Sequence, residues 1–279
     1  MKNKISAVIL LTATIEPKGM GNIKLNNPEI RKKQYIEAIN YYLDNTDLNI
    51  ILCENSGIII YDDILNNKKI NRLEYLSFHG KEYDKRIGQA WGEAEIIKHA
   101  ILHSNYNFDI IIKISGRLKI LNINSIINKI TPCDNSIACE FLFKEFVNST
   151  CFVAPKHYLL DLSSNFLKID VISYPLSMEK YLWDGFLKSK NLKIKSIYPK
   201  IEGISATFNK PYNSMKEYSN DLVFRRLNNN ALKKNFFYKR KAYLSFFCSS
   251  IKWGLYLILW KIQSLYKNKN ESFCHYTIL

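Results

Sequence analysis

"FDIIIKISGRLKI", residues 108–120, is the stretch on which the fold turns. An apolar, isoleucine-rich run of strand length describes a strand covered on both faces, as in a parallel sheet. The run ends in Ser115-Gly116-Arg117, a turn, and it carries Lys113 inside it. Neither strand nor turn propensity calls for two cations there. The pair suits an anionic ligand, with Arg117 able to bind a diphosphate bidentately and Lys113 acting as a point charge. Gly116 between them would let the backbone come close to that ligand.

Outward from this segment the same pattern recurs. "ISAVILLTAT" is a buried strand ending in Thr12 and Thr14, and "LNIILCENSG" is another, ending in Glu54, Asn55 and Ser56. "NRLEYLSFHG" and the opening stretch supply two more strands. Between the first two lies "NPEIRKKQYIEAINYYLD", a helix with Asn27 as N-cap and Pro28 at its first position. "WGEAEIIKHAILHS" is a second helix, with Glu93 and Glu95 expected in its first turn, where they suit the dipole. Backbone N–H groups there would welcome a phosphate, but those two carboxylates would repel it and suit sugar hydroxyls better.

Strand, helix, strand, strand, helix, strand predicts the front half of an open, mostly parallel α/β sheet. Ligands in such sheets bind beyond the carboxyl ends of the strands. Thr12 and Thr14, Glu54 and Asn55, and Lys113 to Arg117 all fall at such ends. For the threonines β-propensity is an equal explanation, and Asn55 is an ordinary turn residue. Glu54 is more telling, because turn chemistry does not ask for glutamate.

The second half adds strands at "SIACEFL", "STCFVAP" and "LKIKSIYP", the first two open to an antiparallel pairing. The helix "PLSMEKYLWDGFLKSK" carries Glu179 and Asp184, five residues apart, so at most one of them faces a cleft. One carboxylate near a hydroxyl suffices for general-base catalysis. The loop opening with Glu202 and Gly203 is a further candidate for sugar contact.

The chain has 279 residues, 47% of them hydrophobic, enough for one large α/β domain with an appendage. Six cysteines without CxxC spacing read as reduced thiols, and the five histidines show no zinc-ligand spacing. The amino-terminal apolar run is short and lacks a small-residue cleavage site, which favours a cytosolic chain. Of the formal charge of +15, eleven Lys and Arg fall within 222–270, a window without Asp or Glu. The expected division is therefore a catalytic domain over 1–221 and a basic aromatic helical tail over 222–279. Lys252 and Lys261 bracket too short an apolar run to span a bilayer, so the tail is expected to lie in the headgroup interface.

Six segments together resemble a family: "LLTATIEP", "NNPEIRKKQYIEAINYYL", "IILCENSG", "GQAWGEAEIIKHAI", "FDIIIKISGRLKILN" and "PKIEGISATFNKPY". In this order they are similar to bacterial glycosyltransferases of surface-polysaccharide (O-antigen or capsule) assembly, over roughly residues 5–215. The resemblance implies a GT-A-like, Rossmann-type mixed sheet flanked by helices. It also implies a nucleotide-diphosphate-sugar donor and a lipid-linked glycan acceptor, used by an enzyme peripherally bound to the cytoplasmic face of the inner membrane.

By position, Thr12, Thr14 and Glu54 would face the nucleotide. "KISGR" stands where many such enzymes carry an Asp-x-Asp metal motif, which this sequence lacks. No metal ligand is therefore assigned, and use of Mn²⁺ or Mg²⁺ stays open. Lys113 and Arg117 would supply the positive charge instead. Glu179 or Asp184 would deprotonate the acceptor in an inverting reaction, and Glu93, Glu202 and Gly203 would contact sugar or acceptor.

Two other readings compete. A nucleotidyl- or phosphotransferase should bring a glycine-rich phosphate loop after the first strand, and "TATIEPKGMG" is not one. A nucleotide- or RNA-binding protein would explain the charge, but no RNA-binding signature accompanies it, so no nucleic-acid partner is expected.

Overall fold

The computed structural model describes residues 6–20, 23–60, 63–64, 68–80, 88–129, 135–142, 145–171, 176–189, 192–214, 230 and 232–240. Four strands, β1 (Ala7–Ala13), β2 (Asn49–Glu54), β3 (Leu73–Ser77) and β4 (Ile110–Ser115), run mutually parallel. β5 (Lys119–Ile120) leaves the sheet. β6 (Ser136–Cys139), β7 (Cys151–Pro155) and β8 (Lys193–Ser196) extend it beyond β4. The seven-stranded order is β3-β2-β1-β4-β7-β6-β8, with β7 antiparallel to both of its neighbours. β5 pairs instead with β9 (Ile201–Glu202) in a two-stranded ribbon. The mixed α/β sheet flanked by helices expected from the sequence is the fold observed, including the antiparallel β6–β7 pair.

Strand alternation sorts the side chains into two cores. Ile9, Leu11 and Ala13 of β1, with Ile112 and Ile114 of β4, pack with Tyr35, Ala38, Ile39 and Tyr42 of helix α1 (Pro28–Asn45). α1 starts as its sequence implies. Asn27 Oδ1 accepts from the Ile30 amide at 3.1 Å, and Pro28 occupies the first turn. On the other face α2 (Gln89–His103) packs against β1, β2 and α4 (Lys156–Phe166). Lys113 pairs in register with Leu10 and Phe152 and so belongs to this second face. The sequence sets no element at α4, because the chain passes from β7 into the helix at Pro155 without a capping side chain. A short helix, α3 (Ile123–Ile127), and α5 (Met178–Lys188) complete the helices, with Phe186 of α5 edge-on to Phe152.

α2 corrects one expectation. It begins at Gln89, two residues earlier than read, behind Gly88 at φ 85°. Glu93 therefore falls past the first turn, and the dipole does not explain it.

The chain divides into two compact units, Met1–Lys233 and Lys234–Leu279. Of the expected tail, only 230 and 232–240 are described, the latter helical, with Tyr238 exposed. The rest of the tail, on which the expected membrane contact falls, lies outside the described residues, as does 81–87 ahead of α2. Among the described residues no helix is long and apolar enough to cross a membrane.

Candidate active site

The strand order reverses between β1 and β4, since β2 and β3 continue on one side of β1 and β4 lies on the other. The loops leaving such a pair diverge and open a crevice. A cleft of about 120 Å³ is found there, lined by Thr12, Ala13 and Thr14 from the end of β1 and by Ser115, Gly116 and Arg117 from the end of β4. α1 contributes Arg31 and Tyr35, and α2 contributes Gln89, Gly92, Glu93 and Ile96.

Gly116 has a more local duty than ligand approach. Its amide donates to the Thr12 carbonyl at 2.9 Å. A Cβ there would stand 2.9 Å from that same oxygen and 3.1 Å from the Tyr35 ring. Glycine is thus what allows β4 to turn against the end of β1.

Two guanidiniums line the cleft. Arg117 donates to Gln34 Oε1 at 2.9 Å and to the Ile204 carbonyl at 3.2 Å. Arg31 is buried and donates to the Thr14 carbonyl (Nε, 2.8 Å) and the Leu25 carbonyl (Nη1, 3.1 Å). Every one of these acceptors is neutral, and among the described residues neither arginine is paired with a carboxylate. Burial lowers the pKa of Arg117, and the nearby Arg31 charge lowers it further. An arginine nevertheless stays protonated. Two uncompensated cations therefore face one crevice, beside the start of a helix whose N-cap, Gly88, has no side chain to cap it.

Tyr35 fixes the β1 exit between them. Its hydroxyl accepts from the Thr14 amide at 2.9 Å and donates to the Thr14 carbonyl at 3.2 Å. Arg31 and Tyr35 were missed by sequence reasoning. Both sit one helical turn apart in a charged amphipathic helix, where an arginine reads as solvated and a tyrosine as core. The available signal was that α1 directly follows the loop leaving β1.

Lys113 corrects the expected cation pair. Its side chain is fully buried and takes no part in the cleft wall. The ammonium instead contacts Glu93 Oε1 and donates to the Ser149 carbonyl at 2.7 Å, with the Phe152 ring centroid 5.7 Å away. The reason is strand alternation: Lys113 points to the α2 face, whereas Arg117 lies past the turn. Desolvation pushes the lysine pKa below its ordinary value, and the Glu179 carboxylate nearby pushes back. The arrangement also bears on the objection that Glu93 would repel a phosphate, because one of its oxygens is turned to the Lys113 ammonium.

The remaining candidates scatter. Glu54 is fully buried, and its carboxylate accepts from the amides of Ile15 (2.9 Å), Ser56 (2.9 and 3.0 Å) and Ile58 (3.1 Å), and from the Ser56 hydroxyl. It clamps the loops leaving β1 and β2 and is turned away from the cleft. Asn55 Oδ1 accepts from the Thr14 hydroxyl at 2.7 Å, and the Thr12 hydroxyl lies 3.5 Å from the Ile114 carbonyl. Glu202 pairs with Lys119 at 3.1 Å on the β5–β9 ribbon, and Gly203, at φ 137°, packs against Leu118. Neither lines the cleft.

Glu179 and Asp184 part as the helix spacing requires. Asp184 is held by Lys180 at 2.9 Å, which also binds Glu145. Glu179 accepts from the Ser149 hydroxyl at 2.6 Å. Neither carboxylate is among the residues that line the cleft.

Among the described residues no group of three or more His, Cys, Asp or Glu stands together as a metal cage. The described cysteines are buried free thiols, and burial pushes Cys151 up to about 12, which leaves it unreactive.

No protein-family model matches the chain, and no curated protein does. Solved structures do show similarity. HddC from Yersinia pseudotuberculosis is 16% identical over 71% of this chain and 92% of that one, with a TM-score of 0.42. The galactosyltransferase LgtC, in complex with donor and acceptor sugar analogues, is 10% identical over 80% and 83%, with a TM-score of 0.48. The inositol-1-phosphate CTP transferase from T. maritima is 10% identical over 70% and 87%, with a TM-score of 0.41. All three stand below a TM-score of 0.5, and the activity of none of them transfers to this chain.

Proposed function

We propose that the chain is a GT-A-like glycosyltransferase that moves a sugar from a nucleotide-diphosphate donor to a lipid-linked glycan acceptor in surface-polysaccharide assembly, with inversion. The observation that carries this reading is the pair of guanidiniums, Arg117 and Arg31, bound only to neutral acceptors at the crevice between β1 and β4. Preorganised cations in a partly dry site stabilise a departing diphosphate as its charge develops. Arg31 takes over the partner role that the sequence gave to Lys113. Thr12, Thr14 and Gly116 line the donor side.

Of the two expected bases, Asp184 is paired with Lys180, whereas the Glu179 carboxylate accepts from the neutral Ser149 hydroxyl. Acceptor activation is assigned to Glu179. The basic, aromatic composition of 222–270 supports work at the cytoplasmic face of an anionic membrane, where lipid-linked acceptors are found.

The test is incubation with UDP-, GDP-, CDP- and TDP-sugars together with bacterial lipid extract. Release of a nucleoside diphosphate coupled to sugar incorporation in lipid is expected. Release of pyrophosphate from a nucleoside triphosphate would mean nucleotidyl transfer instead, and no turnover of either would end the enzyme reading.

A further inference from the structure

Glu93 is the one acidic residue among those lining the cleft, facing a wall with two arginines. Its Oε1 is taken by the buried Lys113 ammonium, and its Oε2 has no partner among the described residues. The Glu93 side chain remains partly open to solvent, 19% exposed, while the lysine side chain is at 0%. A surface carboxylate needs no lysine in the middle of a β-strand to stay ionised. Burying that ammonium is costly unless it is paired and hydrogen-bonded. The Ser149 carbonyl, the Phe152 ring and the Glu179 charge all surround it. What the arrangement secures is the position and rotamer of Glu93, with one oxygen fixed inward and the other free at the cleft.

We infer that Lys113 is a positioning residue, holding Glu93 so that its free oxygen accepts a hydrogen bond from a hydroxyl of the sugar being transferred. This rests on the nucleotide-sugar reading above and deepens it. Charge separation along the cleft fits such a ligand, with the diphosphate at the Arg31 and Arg117 end and the hydroxyl-bearing ring at the α2 end. With one oxygen held by Lys113, Glu93 meets a hydroxyl through the other.

The experiment compares two affinities in one protein. Calorimetry measures the nucleoside diphosphate that binds (UDP, GDP, CDP or TDP) and the same nucleotide carrying its hexose, such as UDP-galactose, UDP-glucose or GDP-fucose. Glu93→Gln and Lys113→Met should each weaken the sugar conjugate by roughly tenfold to a hundredfold, the loss of one charge-assisted hydrogen bond, and leave the free diphosphate within about twofold.

If Lys113→Met alone does not fold, the uncharged double variant Lys113→Met/Glu93→Gln replaces it. In the Glu93→Gln background the added lysine change should cost the conjugate nothing further. An equal loss for diphosphate and conjugate, or an unchanged conjugate affinity in Glu93→Gln, overturns the inference while leaving the donor reading intact. Failure of the wild-type protein to bind any nucleoside diphosphate overturns both.

Discussion

Replacement of Arg117 by methionine separates the work of the guanidinium from that of its stem. Methionine retains most of the side chain's length and apolar packing and removes only the charged fork. In the folded protein that fork makes two hydrogen bonds, to Gln34 Oε1 and the Ile204 carbonyl. Each such bond contributes about 1 kcal/mol net. Against that loss, the variant removes a largely desolvated cation from the vicinity of Arg31, which burial and like charge both disfavour. Stability should therefore fall by no more than about 1–2 kcal/mol.

Binding is different, because a hydrogen bond to a charged partner is worth about 1.5–3 kcal/mol and arginine can offer two of them to a diphosphate. A loss of about 3 kcal/mol corresponds to roughly 150-fold in affinity. Urea denaturation and calorimetric titration of the same preparation measure the two effects. A variant that folds with near wild-type stability and binds the nucleoside diphosphate equally well would refute the diphosphate role of Arg117.

Three other perturbations follow from the same geometry. Gly116→Ala should cost roughly 1–3 kcal/mol of stability, because its Cβ meets backbone oxygen at Thr12 and the Tyr35 ring, and a thermal melt within a degree of wild type would contradict that packing. Glu54→Gln should lower the melting temperature clearly while preserving nucleotide affinity in the folded fraction; a stable variant that loses affinity would return Glu54 to the nucleotide. His99, stacked on Phe78 and 4.2 Å from His103, has its pKa lowered by burial and by that second imidazole. The unfolded chain therefore binds the proton first, and stability present above about pH 6.5 should decline as pH falls below it. Melting temperatures from pH 7.5 to 5 should show this slope, weaker in His99→Gln, and an unchanged slope in that variant would clear His99.

The sheet was legible because each strand carries its own signal. Apolar runs at Ala7–Ala13 and at Ile110–Ser115, the latter broken by Lys113, fit strands covered on both faces, and a capped α1 between β1 and β2 imposes a crossover. Placing the site at the strand ends follows from that topology. What stayed hidden depends on neighbours remote in the chain. Lys113 reads as a ligand-binding cation until the start of α2 is known, since only a helix beginning at Gln89 brings Glu93 to it. Glu54 looks free for a ribose until three backbone donors from two loops converge on it. Arg31 looks solvated until the β1 exit loop offers it the Thr14 carbonyl. In each case the partner comes from another element, and no local pattern encodes it.

The most direct test of the anionic cleft is calorimetric titration of the full chain with UDP, GDP, CDP and TDP, first in EDTA and then with Mn²⁺. Selective binding of one nucleoside diphosphate that survives EDTA and weakens in Arg117→Met is the predicted result. No binding of any of the four by folded protein, with or without the metal, would contradict the assignment of Arg31 and Arg117 to a sugar-nucleotide diphosphate.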